Sequence, residues 1–223
     1  MKSIRIDKDS YGTIALCWCI CAVLIWLSAH FITTNLLSIP ISIILIGFML
    51  FITWFFRVPD RNPIHGQPKA VTSLADGKVV IVEKAFEKEY LKRDCIQVSV
   101  YMDFFDVHAN FWPASGEITY YQYHPGKKVL AFLPKSSDLN EHASSALRVD
   151  ETGDEIFFKQ IAGTFARRIV CYSEPGYRTN RGNQCGVIKF GSRVDLFLPL
   201  NADVKVKVGD QVKAITSIIA ELK

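Results

Sequence analysis

The chain has 223 residues, enough for one domain of ordinary size together with additional segments. Its formal net charge of +4 is too small to mark a nucleic-acid binder, whereas residence beside an anionic membrane surface fits it. Hydrophobic residues make up 49% of the chain and the mean hydropathy is +0.16, high for a soluble protein, and the excess lies at the N-terminal end.

From Tyr11 to Phe56 no residue carries a permanent charge. About 20 apolar residues cross a bilayer as a helix, so this length predicts two crossings. They are placed near Ile14–Ile32 and Leu36–Phe56, with Thr33-Thr34-Asn35 as the turn. Pro40 and Gly47 are tolerable inside membrane helices. The apolar stretch is too long for a cleaved signal peptide and shows no small-residue cleavage site. Lys2, Arg5 and Lys8 precede the pair, while Arg57 and Arg61 follow it. Both ends therefore read as cytoplasmic, which puts the remainder of the chain at the cell membrane, facing the cytoplasm. Cys17, Cys19 and Cys21 cannot converge on a metal, because alternate residues of a helix point about 200° apart. Cys95, Cys171 and Cys185 are scattered, so reduced thiols and no metal site are expected.

The organisation expected is a transmembrane hairpin over 1–56, a proline-punctuated linker over 57–72 and a cytoplasmic domain over 73–223. That domain reads mostly as strands. Val79–Val82 is an apolar run, and Ile96, Val98, Val100 and Met102 alternate with polar or small residues. Ile118–Tyr121 and Val194–Leu198 follow, then Val204, Val206 and Val208 before a Gly209-Asp210 turn into Val212 and Ile215–Ile219. Asp138–Ser145 is expected to form a short helix, and Gly182 and Gly186 to mark turns. Ala75-Asp76-Gly77-Lys78-Val79 is echoed by Ala114-Ser115-Gly116-Glu117-Ile118, each leading from a glycine turn into a strand. The fold class is mainly β: a β-sandwich of hybrid or lipoyl-like hairpins with few short helices, preceded by the two-helix hairpin.

The chemistry centres on Gly191-Ser192. The Ser192 hydroxyl can attack the Gly191 carbonyl and move the acyl group from nitrogen to oxygen. Elimination and hydrolysis then leave a pyruvoyl group, a cofactor made from the chain itself that serves as an electron sink for an amino substrate. By itself Gly-Ser is an ordinary turn. Self-processing also needs a base, and His108 follows a predicted strand that can aim it. Asp76, at a turn, can orient that imidazole and complete an Asp–His–Ser arrangement.

Several further stretches carry a family likeness: Phe56-Arg57-Val58-Pro59-Asp60-Arg61, Ala75-Asp76-Gly77, Val107-His108, Tyr123-His124-Pro125-Gly126-Lys127, Asn140-Glu141-His142, Gln160-Ile161-Ala162-Gly163 and Phe190-Gly191-Ser192-Arg193. In this order the chain resembles the short, membrane-anchored branch of the phosphatidylserine decarboxylases. The resemblance implies a proenzyme cut between Gly191 and Ser192, giving a large subunit 1–191 and a small subunit 192–223 capped by pyruvoyl. It implies Asp76, His108 and Ser192 as the processing triad, and a membrane phospholipid as the substrate, converted to phosphatidylethanolamine and CO2. A higher oligomer is compatible with it. Glu141 and His142 fall in a region resembling the substrate-facing loop, with a solvated helix end as the alternative. Where longer members carry the first histidine of a His-x-x-His pattern this chain has Phe105, read as an apolar wall beside the pyruvoyl group. Arg167 or Arg168, but not both, could approach a lipid phosphate, since adjacent strand residues face opposite sides. Trp112 and Phe111 suit lipid contact or core equally.

A membrane-anchored lipoyl-like carrier is the rival class. It would need a lysine at the hairpin tip, and Gly209-Asp210 offers none. No phosphate-cradling glycine motif and no His-Glu-x-x-His occurs.

Overall fold

The computed structural model describes residues 5–32, 34–127, 140–164, 168–189 and 192–223. The chain divides into two compact units, Met1–Asp60 and Arg61–Lys223. The first contains β1 (Arg5–Ile6), a 3-10 turn at Lys8–Ser10, α1 (Tyr11–Phe31), α2 (Asn35–Phe55) and β2 (Arg57–Val58). Both helices are long and apolar enough to cross a membrane, and they match the expected spans to within a few residues. Large apolar side chains such as Leu16, Val23, Trp26, Ile43 and Leu50 are exposed along them, a surface that water does not favour. The Trp18 indole ties the helices together by donating to Met49 O at 3.3 Å and Thr53 Oγ1 at 3.2 Å. β1 and β2 pair antiparallel, Arg5 opposite Val58, so the hairpin's two ends emerge side by side. Arg57 lies over the Trp54 ring, 3.5 Å from its centroid. Asn35, expected in the turn, opens α2, and Thr33 is outside the described residues.

The second unit is built from strands. In chain order they are β3 (Ala70–Thr72), β4 (Gly77–Glu87), β5 (Arg93–Met102), β6 (Ala109–Phe111), β7 (Gly116–His124), β8 (His142–Val149) and β9 (Glu155–Ala162). There follow β10 (Arg168–Cys171), β11 (Arg178–Thr179), β12 (Gln184–Lys189), β13 (Ser192–Pro199), β14 (Asp203–Val204), β15 (Gln211–Val212) and β16 (Ile218–Glu221). Eight form one sheet in the order β11-β7-β8-β9-β13-β5-β4-β15. Two three-stranded sheets, β10-β12-β6 and β14-β16-β3, supply side chains to the same apolar core as one face of the large sheet. The segment expected to be a linker carries β2 at its start and β3 at its end.

Central position explains why β13 is so apolar. It is flanked by β5 and β9, and all eight of its residues are buried. The echoed glycines do the same job at two places. Gly77 and Gly116 each open a long strand, and a Cβ there would sit 2.1 Å from Tyr101 O or 2.0 Å from Arg148 O. The β4–β5 turn is held by the Glu87 carboxylate, which accepts from the amides of Glu89, Tyr90 and Leu91 at 2.6–2.9 Å.

Three expectations need correction. The helix over Asp138–Ser145 is not there: residues 138 and 139 are outside the described residues, and His142–Ser145 begin β8. Its serines are bonded inward, Ser144 Oγ to Glu89 Oε2 at 3.0 Å and Ser145 Oγ with Ser173 Oγ at 2.7 Å. Of the Val204–Val208 alternation only Asp203–Val204 is strand, and Val208 is exposed. Gly182 is a turn residue at φ +86°, but Gly186 lies inside β12.

Candidate active site

Ser192 is the first residue of β13, opposite Met102 on β5 and Ala162 on β9, and is fully buried. Its hydroxyl donates to Met102 Sδ at 2.9 Å. Asn110 Nδ2 donates to the same sulfur at 3.7 Å, and Gln160 Nε2 donates to Asn110 Oδ1 at 2.8 Å. Gln160 is opposite Val194, two residues along β13, so the alternation of a strand puts it on the same face as Ser192. Ser192, Met102, Asn110 and Gln160 thus form a buried polar cluster without a formal charge. Gly191 is outside the described residues.

His108 is also fully buried. It follows the short loop that leaves β5 after Met102, and its carbonyl accepts from Ile188 N at 3.2 Å. β12 ends one residue later, at Lys189, and the chain reaches Ser192 in three more steps. His108 is therefore fixed beside the segment that runs into the serine. Its Nδ1 lies 3.0 Å from Asp106 O, an oxygen that can only accept. This assigns the proton to Nδ1 and leaves Nε2 as the basic nitrogen of the neutral ring.

Asp76 leaves the sheet at the same end. Lys78 is opposite Tyr101, which is opposite Arg193, so β4 and β13 are separated by one strand, about 10 Å. The structure does not join Asp76 to His108. Arg61 grips the carboxylate with two hydrogen bonds of 2.5 and 2.6 Å, and Ala214 N adds a third at 2.9 Å. Arg61 was quoted in the sequence only as a flanking charge and part of a motif; nothing in a separation of 15 residues announces this pair.

Glu141 and His142 are split between the two faces. Ala162 N donates to Glu141 O at 2.9 Å, which extends the row Met102–Ser192–Ala162 to Glu141. Both residues are buried, so neither is a solvated helix end. Burial raises the pKa of the Tyr123 hydroxyl, and its hydrogen bond with Glu141 raises it further. Phe105 is 65% exposed and in T-shaped contact with Phe104. Phe111 and Trp112 are core, each 2% exposed. Arg168 is exposed and Arg167 is outside the described residues.

His142 belongs to the opposite face, where its ring stacks on that of His124 at 4.5 Å. Glu89 faces both rings, with Oε1 2.7 Å from His124 Nε2 and Oε2 2.9 Å from Lys159 Nζ. Burial alone would raise the Glu89 pKa, but Lys159, His124 and Ser144 together hold it below its ordinary value. Burial pushes the His142 imidazole down against the pull of the Asn140 carbonyl. The next residues of that face are Arg193 and Asp195, both fully buried and joined by two bonds of 2.7 and 2.9 Å.

The comparisons with known proteins bear on this geometry. The family model of phosphatidylserine decarboxylase matches residues 48–220. The chain belongs to the phosphatidylserine decarboxylase family. Within the family it is 46% identical to the phosphatidylserine decarboxylase proenzyme of Amoebophilus asiaticus over 83% of this chain and 80% of that one. It is 41% identical to the proenzyme of Porphyromonas gingivalis over 86% and 87%. The proenzyme of Cytophaga hutchinsonii matches at 36% over 98% of this chain and 99% of its own, apolar hairpin included. Family membership thus covers both compact units, and the buried serine, histidine and amide cluster all fall within the matched residues.

Proposed function

We propose that the chain is a self-processing phosphatidylserine decarboxylase, cut between Gly191 and Ser192 into a membrane-bound 1–191 subunit and a 192–223 subunit. The carrying observation is the buried Ser192 at the head of β13, hydrogen-bonded into a neutral cluster with Met102, Asn110 and Gln160, while the buried His108 is tied through its carbonyl to Ile188, four residues before the serine. The family's proenzyme naming supports cleavage into two parts. The surroundings fit a pyruvoyl group at position 192: the neighbouring sulfur and amides carry no amine or thiol that would capture a ketone. When formed, that group supplies an electron sink for the carbanion left by loss of CO2.

His108 is assigned as the base that takes the Ser192 proton during self-cleavage and as the acid that returns one in turnover. Its Nδ1 proton, anchored on Asp106 O, keeps the ring oriented for both duties. Asp76 is assigned to the same triad on the family pattern. Engaging His108 requires it to leave Arg61 or to act through that pair, so the observed state suits a resting proenzyme. The two apolar helices would anchor the enzyme in the cell membrane, with both emerging ends and the second unit on the cytoplasmic side, as their flanking Lys and Arg residues favour.

Intact mass of the purified protein tests the reading. It should show a fragment ending at Gly191 and a second that lacks a free amine and reacts with a carbonyl reagent. Ser192→Ala should give one uncut, inactive chain, and His108→Ala or Asp76→Asn should slow cutting by about 10²- to 10⁴-fold, the usual worth of a positioned acid or base. A cut and active Ser192→Ala protein defeats the reading.

A further inference from the structure

The polar groups around Ser192 are all oriented from one atom. The Met102 sulfur has lone pairs but no hydrogen, so any group that meets it must donate. Ser192 Oγ and Asn110 Nδ2 both do. With its nitrogen committed to sulfur, Asn110 turns Oδ1 toward Gln160, which must answer with Nε2. The last atom of the chain of bonds is Gln160 Oε1. It is buried and has no hydrogen-bond partner, one of two such side-chain atoms among the described residues. An orphaned carbonyl oxygen in the interior is costly and calls for an explanation. Space has been made for this side chain as well, since a Cβ at Gly186 would lie 2.8 Å from Gln160 Nε2.

We propose that Gln160 is a head-group binding residue whose Oε1 accepts a hydrogen bond from the α-ammonium of the lipid's serine, with Asn110 and Met102 as the positioning residues behind it. The proposal rests on the decarboxylase reading above and deepens it. Of the groups on a phosphoserine head, only the ammonium can donate to a fixed acceptor. The α-carboxylate is repelled by the same oxygen, so the contact sets which end of the amino acid points inward. The cluster itself contains no cation that would hold the carboxylate and oppose its loss as CO2. A neutral amide suits this task better than a carboxylate, because it orders the ammonium without forming an ion pair that resists release of the product amine.

The test uses the full-length protein in detergent micelles, with Gln160→Met and Gln160→Glu beside the wild type. Intact mass reads self-cleavage, and calorimetry reads binding of dihexanoyl-phosphatidylethanolamine, which carries the amine, and dihexanoyl-phosphatidylglycerol, which does not. Gln160→Met should be cut normally and bind the amine lipid about tenfold more weakly, with the amine-free lipid unchanged. Gln160→Glu, held protonated by burial so that its hydroxyl takes over the donation to Asn110 Oδ1, keeps the acceptor and should retain the amine affinity. Equal loss for both lipids would reduce Gln160 to a packing role, no loss for either would remove it from the site, and a folded but uncut Gln160→Met would move it to self-cleavage. Each of these overturns the proposal. Should Gln160→Met fail to fold, Gln160→Leu, smaller and equally without an acceptor, is read by the same selectivity. An uncut wild-type chain would instead sink the decarboxylase reading.

Discussion

Ser192 and Arg193 are adjacent in the chain, yet they enter opposite faces of the same sheet and two different kinds of interior. Immediately around Ser192 the polar groups are a hydroxyl, a thioether and two amides, arranged so that each donor has one available acceptor. On the other face the charges nearest Arg193 are matched in pairs, Arg193 with Asp195 and Lys159 with Glu89, beside neutral groups such as Gln97, which donates to Ser99. The first arrangement leaves an acceptor over for something that arrives. In the second, Asp195 and Glu89 are each met by a cation within 3 Å. A strand buried on both sides can therefore present chemistry on one face while the other holds it in register.

The sharpest way to break this comparison is to remove a charge from the closed face. Arg193→Met takes the guanidinium away from the fully buried Asp195 carboxyl, and should destabilise the domain by about 3–5 kcal/mol in urea unfolding. Replacing both partners with apolar residues should recover most of that loss. If the single variant costs no more than a surface change, the pairing on this face is ornamental and the contrast falls.

How much of this was readable beforehand depends on where each signal sits. The hairpin was plain because an uncharged stretch from Tyr11 to Phe56 has few other uses. Strand alternation exposed β5, whose Ile96, Val98, Val100 and Met102 line one face. The same rule was not applied to Asp138–Ser145, expected as a short helix, where His142–Ser145 instead open a strand buried on both faces whose serine hydroxyls bond inward. Ser192 and His108 could be named from their motifs, but the capture of Asp76 by Arg61 could not, since it depends on how two loops meet. Gln160 entered the sequence reading only within the Gln160–Gly163 family stretch, although it is the one amide in a strand otherwise apolar on the Ser192 face.

A gentler probe of the closed face is Lys159→Met. Glu89 would keep His124, Ser144 and Tyr120 as donors but lose its permanent cation. The expected cost is about 1–3 kcal/mol, the scale of one hydrogen bond to a charged group. Self-cleavage should be unchanged, because the lost contact is on the face away from Ser192. Slower cutting in this variant would mean that the two faces are coupled.

The smallest effect is one of pH, and it follows from the same division. Burial lowers the His142 pKa beneath its ordinary 6.5, so the unfolded chain takes up this proton before the folded one does. The stability tied to the neutral ring is fully present above pH 6.5 and is lost as pH falls from there through the lowered folded value. Glu89, also held below its ordinary 4.5, acts in the same sense at lower pH: its contribution is present above 4.5 and is lost through its own folded pKa. The melting temperature should therefore decline in two stages on acidification. His142→Asn should flatten the first stage and leave the second. The Gln160→Met variant, altered only on the neutral face, should keep both, and a loss of the upper stage there would show that His142 does not titrate alone.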